Sequence, residues 1–352
     1  MIKWVDNTIV GYTDGYGQAS DSFWDFFKDS DLPIERLLPY RDKSTETIQN
    51  NEIGIGYTRI VSSNQDGIVI NHCLPTEFVN FKKYSVGMTY WETNLIPIDW
   101  VDHCNRMDEI WTTSRAMRNV FINSGVTKPV YNFQLGVDPK IYFPKKQYTK
   151  GSFKFLSIGS PSTRKNSQMA VDAFLKVFGN DNNYELIYKS NGPQDARIYK
   201  NGIMYPLEHP RITVINHQVT NEDLGAIYDS ANCLLYPTSG EGWGLIPFQA
   251  IAKGIPTICT NALATSEFAD MSIPLNFKWG TKNMTGIYEN AGEWAEPDFD
   301  DLCDKMLYVA NNYAEVCDKT YKSAEFINQN MTWECVSKKY IDRIKLILDQ
   351  TK

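Results

Sequence analysis

The segment from Ser239 to Ala250 places three glycines and one carboxylate at the junction of two predicted elements. A buried strand is predicted at Cys233–Pro237, and an apolar, helix-like run follows the segment and ends at Gly254. The first turn of a helix has unpaired backbone N–H groups and a partial positive charge, which together suit a phosphate. Glycines let the backbone approach a ligand that a Cβ would obstruct. The segment therefore predicts a binding site for an anion that also carries hydroxyl groups.

Two adjacent cations, Arg164 and Lys165, occupy a second loop between a predicted strand and a predicted helix. They lie in a run from Pro139 to Val171 that has no acidic residue. Five further lysines share the run: Lys140, Lys145, Lys146, Lys150 and Lys154. For these five, a solvated basic linker is the competing interpretation. Arg164 and Lys165 differ because they follow a strand, where α/β proteins bind their ligands.

The totals favour a globular protein of two domains, because 352 residues exceed what one core usually organises. The net charge of −7 argues against a broad surface that coats nucleic acid. The seven cysteines are scattered without a C-x-x-C pair, so neither a zinc site nor a disulfide framework is expected. With no signal peptide and no long apolar run, the sequence predicts a cytoplasmic protein.

Two D-x-D triplets raise the question of a metal site: Asp29-Ser30-Asp31 and Asp298-Phe299-Asp300. The second begins a predicted helix, where acidic residues are expected in any case. Neither triplet adjoins the glycine-rich segment. We therefore expect no metal ligands among them.

Strands alternate with helices along most of the chain. Strands are predicted at 68–70, 86–91, 109–112, 130–133, 153–158, 184–188, 212–216, 233–237 and 257–260. Helices are predicted at 99–107, 114–124, 167–178, 221–230, from the Glu241 junction to 253, and at 298–310, 312–328 and 333–348. This alternation indicates parallel sheets that are covered on both faces, with ligands at the carboxyl ends of the strands. The polar, irregular segment 142–151 is predicted to link the two domains.

In this order the motifs resemble those of the family 4 retaining glycosyltransferases of the GT-B fold. The matching segments of the second half are Arg164–Asn166, Asn221–Leu224 with Tyr228, Pro237–Ser239, Glu241–Gly244 and Ala252–Pro256. The first half is similar through Gly15–Gly17, Tyr90–Thr93 and Gly136–Asp138. The resemblance implies two Rossmann-like α/β domains that face each other across a cleft. The acceptor-binding domain is expected at 1–147, the nucleotide-sugar-binding domain at 148–331, and a C-terminal helix at 332–352 packs back towards the first domain.

The resemblance implies transfer of a sugar from a nucleotide diphosphate sugar to a hydroxyl acceptor, with retention of anomeric configuration. A UDP-sugar is the favoured donor and a GDP-sugar the other option, with no tightly bound cofactor. Breaking the sugar–phosphate bond leaves a diphosphate with growing negative charge, which preorganised cations and N–H groups stabilise. Arg164 and Lys165 match the family's cations for this task. The backbone of Gly242–Ile246, including Trp243, Gly244 and Leu245, is expected to supplement them, and Lys189 is a further candidate.

Two residues are expected to hold the hydroxyl groups of the donor. Glu241 matches the first glutamate of the family's E-x7-E motif, which is expected to hold the sugar, although a carboxylate at a helix start is also favoured by the dipole alone. The second glutamate of the motif is replaced by Gln249. A carboxylate accepts two hydrogen bonds from a ribose diol, whereas an amide offers one acceptor and one donor group. Gln249 is still expected at the ribose position, with altered binding strength or an altered donor preference.

The first half supplies further candidates. His72 resembles a family histidine near the anomeric centre, and the competing interpretation is a structural histidine. Glu92 follows a predicted strand and is expected to contact the acceptor or to orient His72. Gly15, Tyr16 and Gly17 are expected to form a flexible loop over the donor phosphates.

Two other functions compete with the main interpretation. The first keeps the chemistry and takes hydroxylated bases of DNA as acceptor, motivated by the basic run at 140–165 and by Lys338, Lys339, Arg343 and Lys345. The second is a non-catalytic protein that binds nucleotide sugars, motivated by Gln249 alone. The net acidity counts against the first, and the presence of Arg164, Lys165 and Glu241 against the second.

Overall fold

The computed structural model describes residues 1–6, 15–37, 66–146, 151–190, 197–200, 203–206, 208–281 and 284–352. These residues belong to two compact units. The first unit comprises 1–91, 95–136 and 333–352, and the second comprises 92–94 and 137–332. The three residues 92–94 therefore belong to a different unit from their neighbours in sequence. Lys150, one of the lysines of the basic run, lies outside the described residues.

The first unit is built on a parallel six-stranded sheet in the order β2-β1-β3-β4-β5-β6. Its strands are β1 (Ile2–Asp6), β2 (Ile34–Leu37), β3 (Ile68–His72), β4 (Tyr84–Met88), β5 (Glu109–Thr112) and β6 (Val130–Asn132). Its helices are α1 (Gly15–Phe27), α2 (Ile98–Asn105), α3 (Arg115–Asn123) and the C-terminal α9 (Trp333–Gln350).

Helix α9 belongs to the first unit because its apolar face packs there. Phe23 of α1 contacts Tyr340 and Trp333, with ring centroids 4.5 and 5.2 Å apart. Arg343 forms an ion pair with the buried carboxylate of Glu109 on β5. The amphipathic pattern of 333–348 predicted this helix, and the return of the C-terminal helix to the first unit agrees with the predicted fold class.

The second unit has a parallel sheet in the order β11-β8-β7-β12-β13-β14. Its strands are β7 (Phe153–Ile158), β8 (Tyr184–Lys189), β11 (Ile212–Ile215), β12 (Cys233–Tyr236), β13 (Thr257–Thr260) and β14 (Ile273–Leu275). Two antiparallel pairs accompany it: β9 (Arg197–Lys200) with β10 (Ile203–Pro206), and β15 (Phe277–Gly280) with β16 (Trp294–Pro297). The helices are α4 (Ser167–Phe178), α5 (Asn221–Asp229), α6 (Leu245–Ala252), α7 (Phe299–Asn311) and α8 (Tyr313–Asn330).

The strand order of this second sheet is that of a known ligand-binding arrangement. Counted within the unit, the strands run 3-2-1-4-5-6, which is the dinucleotide-binding order. The chain leaves β7 towards one edge and returns to β12 on the other side, so β7 and β12 flank the switch point. In sheets of this order, ligands bind outside the carboxyl ends of the two strands at the switch point. The loops that leave them are 159–166 and 237–244.

Several predicted elements agree with the structure residue for residue, among them β5, β7, β13 and α4. The cap of α3 is also confirmed, since Ser114 Oγ accepts from the backbone N–H of Met117 at 3.0 Å. The loop predicted at Gly15–Gly17 is wrong, because these residues form the first turn of α1. The hydroxyl of Tyr16 accepts from the N–H of Tyr90 at 2.8 Å, and this contact holds the turn in place.

Candidate functional site

The loops after β7 and β12 are joined to each other by hydrogen bonds. The backbone N–H of Ser239 donates to the carbonyl of Arg164 at 2.7 Å. The Asn166 amide donates to the carbonyl of Pro237 at 3.0 Å and to the hydroxyl of Ser239 at 2.7 Å. Asn166 adopts a left-handed conformation with a φ of 48°, which asparagine tolerates better than most residues. The two sequence motifs therefore form one rigid site at the switch point.

Glu241 lies at the centre of this site. Its Oε1 accepts from Lys165 Nζ at 2.6 Å, from the Thr238 hydroxyl at 2.8 Å, from the Tyr236 hydroxyl at 3.0 Å and from Arg164 at 3.2 Å. We call these five residues the Glu241 cluster. Within the described residues, Oε2 of Glu241 accepts no hydrogen bond. One carboxylate oxygen thus fixes the cluster, and the other stays available to a ligand hydroxyl.

Burial and charge set the protonation of the cluster. Burial by itself raises the pKa of the Glu241 carboxyl. Lys165, Arg164 and the hydrogen bond from Thr238 lower the pKa by more than burial raises it, so that it falls to about 2. Burial lowers the pKa of the Lys165 ammonium, and Glu241 opposes this shift only in part. For Arg164 the carboxylates of Glu92 and Glu241 outweigh burial and raise the pKa. Glu241 is therefore a firm anion beside two cations.

The pKa of Glu241 predicts acid sensitivity with a defined sign. Because the folded-state pKa is depressed from 4.5 to about 2, its contribution to stability is complete above pH 4.5 and is lost as the pH falls towards 2. The contribution is about 3 kcal/mol on this basis. We expect the melting temperature of the wild type to exceed that of Glu241→Gln most above about pH 5, with the gap narrowing by about pH 3. A constant gap across this range would contradict the assignment.

Gly240 allows the backbone of Glu92 to reach the site. A Cβ on Gly240 would lie 1.8 Å from the carbonyl oxygen of Glu92, so no other residue fits without displacing that segment. The Glu92 carboxylate lies with Oε1 3.8 Å from Arg164 NH2, and its Oε2 accepts from the Tyr288 hydroxyl at 3.0 Å. Within the second unit the side-chain contacts of Glu92 are with Arg164 and Tyr288, and its expected role in orienting His72 stays a prediction. Its predicted contact with an acceptor stays a prediction.

The start of α6 has the geometry that the glycines predicted. Gly244 is left-handed, with a φ of 94°, and a Cβ there would come within 3.0 Å of the Thr265 methyl group. The first N–H groups of α6, which follow it, have no intrahelical partner. Trp243 is buried against Phe248 and Phe268, with ring centroids 5.2 and 5.6 Å away, so its indole packs in the core. Any contact of Trp243 with a ligand therefore involves its backbone.

The remaining second-unit candidates are buried. Gln249 lies on α6 and is 1% exposed. The Lys189 ammonium donates to the backbone carbonyls of Ser190 and His217, the latter at 2.8 Å. These bonds hold the loop after β8 and give Lys189 a structural task.

His72 lies in the first unit, at the carboxyl end of β3, and is fully buried. Its Nε2 pairs with the Tyr90 hydroxyl at 2.8 Å, and the rings of Trp4 and Tyr16 lie 5.6 and 5.3 Å away. Burial lowers the pKa of His72 to about 4, although the neighbouring Asp6 carboxylate raises it. The imidazole is therefore neutral at neutral pH, and its expected position near the anomeric centre stays a prediction.

Most of the basic residues that motivated a nucleic-acid acceptor are paired with carboxylates. Lys338 pairs with Glu334 at 2.8 Å, and Lys345 pairs with Asp31 at 3.0 Å. Further pairs are Lys145 with Asp229, Lys146 with Asp318, Lys154 with Glu185, and Arg343 with Glu109. These pairs cancel the local positive charge, so the described part of the chain offers little support for a basic groove.

Both D-x-D triplets have structural contacts. Asp298 caps α7 by accepting from the N–H groups of Asp300 and Asp301 at 2.9 and 3.0 Å. Asp300 pairs with Lys176 at 2.8 Å, and Asp31 pairs with Lys345.

Among the residues described, no helix is long and apolar enough to span a bilayer.

Three residues that contact the site were not predicted from the sequence. Tyr236 ends a strand that was predicted to be buried. Thr238 belongs to the motif Pro237–Ser239, for which no role was predicted. Their position directly before Glu241 is the signal that identifies them. Tyr288 gave no signal, because 196 residues separate it from Glu92.

A family model described as family 4 glycosyltransferase in conflict systems matches residues 113–339, more than half of the chain. The chain is 24% identical over 214 residues to the alpha-1,3/1,6-mannosyltransferase ALG2 of Homo sapiens, covering 50% of this chain and 48% of that protein. It is 23% identical over 168 residues to the GDP-mannose-dependent alpha-(1-6)-phosphatidylinositol dimannoside mannosyltransferase of Mycobacterium tuberculosis, covering 46% and 42%. The chain thus matches somewhat less than half the length of these curated relatives.

A solved structure matches nearly the whole chain. Sucrose-phosphate synthase from Thermosynechococcus elongatus superposes with a TM-score of 0.72 and 12% identity, over 99% of both chains. At this identity the likeness shows the fold alone. Together with the two parallel six-stranded sheets, it confirms the predicted GT-B fold class.

Proposed function

Because the chain belongs to the family 4 glycosyltransferases in conflict systems, we propose that it moves a hexosyl group from a nucleotide diphosphate sugar to a hydroxyl acceptor. Retention of anomeric configuration is part of the proposal and follows from the resemblance to the retaining family. The observation that supports the proposed sugar transfer is the Glu241 cluster. In it, a buried carboxylate and two cations meet at the switch point of a sheet with the dinucleotide-binding strand order.

The cluster has a separate group for each part of the donor. Oε2 of Glu241 accepts hydrogen bonds from sugar hydroxyls, while Lys165 and Arg164 face the diphosphate. Within the described residues, Arg164 donates hydrogen bonds only through NH1, to Gly240 and Glu241, so the N–H groups on NH2 and Nε remain for phosphate oxygens. The first N–H groups of α6, at Leu245 and Ile246, complete the diphosphate seat.

The cations act mainly after the reaction has begun. The charges of Arg164, Lys165, Glu92 and Glu241 sum to zero, so a donor in its ground state gains little net electrostatic attraction from them. When the sugar–phosphate bond breaks, the leaving oxygen gains negative charge next to Lys165. A fixed cation in a site that excludes water stabilises that charge strongly. The arrangement thus favours the transition state over the bound donor.

The donor and the acceptor define the substrate proposal. Of the two sequence relatives named above, one is called a GDP-mannose-dependent enzyme and both are called mannosyltransferases. These names favour a GDP-hexose, and a UDP-hexose stays a candidate because the resemblance of the motifs favours it. The acceptor is a hydroxyl of a glycan, a lipid-linked compound or a small molecule. A DNA acceptor is disfavoured because the basic residues are paired.

The proposal is tested by incubating the protein with UDP-glucose, UDP-N-acetylglucosamine and GDP-mannose and measuring nucleoside diphosphate release. We expect release from one of the nucleotide classes and stabilisation against heat by that donor. Glu185→Gln is the matched control for the variant Glu241→Gln, because Glu185 also pairs with a lysine in the second unit but is partly exposed. Heat stabilisation without turnover, with any acceptor supplied, would identify a non-catalytic binding protein instead.

Gln249→Glu tests the proposed ribose position. If Gln249 holds the ribose diol, a carboxylate there should lower the KM for the donor by about fivefold, since an ionised acceptor strengthens a hydrogen bond. The same change buries a second carboxylate and should lower the melting temperature. Gln168→Glu, on the surface of α4, is the control for added charge. A donor KM that does not change would remove Gln249 from the donor site.

A further inference from the structure

We infer that Tyr288 is a positioning residue that keeps Arg164 available to the donor by holding Glu92 away from it. The inference rests on the proposed function, because it takes Arg164 as a ligand of the donor diphosphate. Tyr288 ends a short 3-10 helix, Gly286–Tyr288, in the loop between β15 and β16.

The three side chains form a line of contacts. The Tyr288 hydroxyl donates to Oε2 of Glu92 at 3.0 Å, and Oε1 of Glu92 lies 3.8 Å from Arg164 NH2. At 3.8 Å, Glu92 and Arg164 form an ion pair, but the distance is too long for a hydrogen bond. In the described part of the chain, the Tyr288 bond is the one hydrogen bond that the Glu92 carboxylate accepts. Tyr288 therefore decides which way this carboxylate faces.

The backbone on both sides of this contact is fixed independently of the Tyr288 hydroxyl. The N–H of Asn94 donates to the carbonyl of Glu293 at 3.2 Å, and the N–H of Glu293 donates to the side chain of Asn94 at 2.8 Å. Thr93 adds a hydrogen bond to the carbonyl of Ala291. Loss of the hydroxyl should consequently free the Glu92 carboxylate without releasing the segment.

The Tyr288 ring stands on a support that is tied to the Glu241 cluster. It packs against the buried Trp294 of β16, with ring centroids 4.6 Å apart. The next residue, Ala295, donates its N–H to the carbonyl of Ser239 at 3.0 Å. The hydroxyl is thus held in a fixed position relative to the loop that carries Glu241.

The chemical consequence concerns a competing salt bridge. Carboxylate and guanidinium groups prefer a bidentate pair with two parallel hydrogen bonds. Such a pair between Glu92 and Arg164 would occupy the N–H groups that the diphosphate needs. Because Tyr288 holds Oε2, Glu92 presents one oxygen to Arg164, at a distance too long for a hydrogen bond. Tyr288 thereby keeps Arg164 oriented and open.

A double-mutant cycle tests this role. UDP and GDP are titrated calorimetrically into the wild type, Tyr288→Phe, Glu92→Gln and the double variant, and donor turnover is measured for each. We expect Tyr288→Phe to weaken nucleoside diphosphate binding about tenfold, because the freed carboxylate closes on Arg164. In the Glu92→Gln background, where no bidentate carboxylate pair can form, the same change should alter binding less than about twofold.

The controls separate this inference from its premise. Tyr313→Phe removes a hydroxyl that is bonded to Asn232 elsewhere in the second unit, and should leave binding unchanged. Equal effects of Tyr288→Phe in both backgrounds, or no effect in either, would overturn the positioning role while the wild type still binds. Failure of the wild type to bind UDP and GDP would overturn the proposed function itself.

Discussion

Glu241→Gln is expected to reduce nucleoside diphosphate release from the donor by about 10²–10³-fold. One oxygen of the Glu241 carboxylate accepts hydrogen bonds from four side chains of the cluster. The amide oxygen of glutamine carries no negative charge, so it binds the two cations among these donors less strongly. The change also removes the oxygen assigned to the sugar hydroxyls. Both the orientation of the cations and the grip on the sugar are lost together.

The same variant should be less stable than the wild type. Removing one partner of a buried ion pair costs about 3–5 kcal/mol, because the remaining charges lose their counter-ion. Lys165 moderates this cost, since its lowered pKa eases its deprotonation. Turnover should therefore be compared at a temperature where circular dichroism shows the variant folded, with Glu185→Gln alongside it. A folded Glu241→Gln protein with near-wild-type turnover would refute the role given to this residue.

Lys165→Met carries the second large expected effect, a loss of about 10²–10³-fold in turnover with a smaller change in donor KM. Lys165 Nζ contacts Glu241 at 2.6 Å and the Tyr236 hydroxyl at 2.8 Å, so its charge is fixed in place before the bond breaks. Its contribution belongs to the leaving diphosphate and therefore to kcat. Lys154→Met, which removes the exposed partner of Glu185, is the matched control.

The pH dependence of turnover shows whether Lys165 acts through its positive charge or only through its packing. Burial lowers its pKa below the ordinary 10.5, so wild-type turnover should decline on the alkaline side before that value. Arginine keeps its charge throughout this range. Lys165→Arg should be slower than the wild type, because the fork of arginine does not match the geometry, yet it should lack the alkaline decline. An identical decline in both proteins would assign that titration to another group.

Local patterns predicted the elements that position the site. The apolar runs of β7 and β12, the cap at Ser114 and the glycines around Glu241 depend on neighbours in sequence, and each appears where expected. Both motifs were expected at the carboxyl ends of strands, but the contacts of Glu241 with Arg164 and Lys165 were not predicted. Parallel sheets bring those ends to one edge, so spacing along the chain was sufficient to place both motifs there.

Contacts between distant segments were beyond local patterns. Gly15 and Gly17 were expected in a loop because glycine is flexible, but Tyr16 bonds to Thr89 and Tyr90 and fixes a helical turn. The burial of His72 depends on Trp4, Tyr16 and Tyr90, which lie on separate elements. Tyr288 and the pair β15–β16 have no periodic pattern that marks them. Their importance arises only from the contact with Glu92.

The Glu241 cluster and the start of α6 together are proposed to bind the donor diphosphate. A crystal structure with bound UDP or GDP tests this proposal most directly. We expect diphosphate oxygens within hydrogen-bond distance of Lys165 Nζ, of Arg164 and of the N–H groups of Leu245 and Ile246. A nucleotide bound elsewhere, with Arg164 and Lys165 contacting only Glu92 and Glu241, would contradict it.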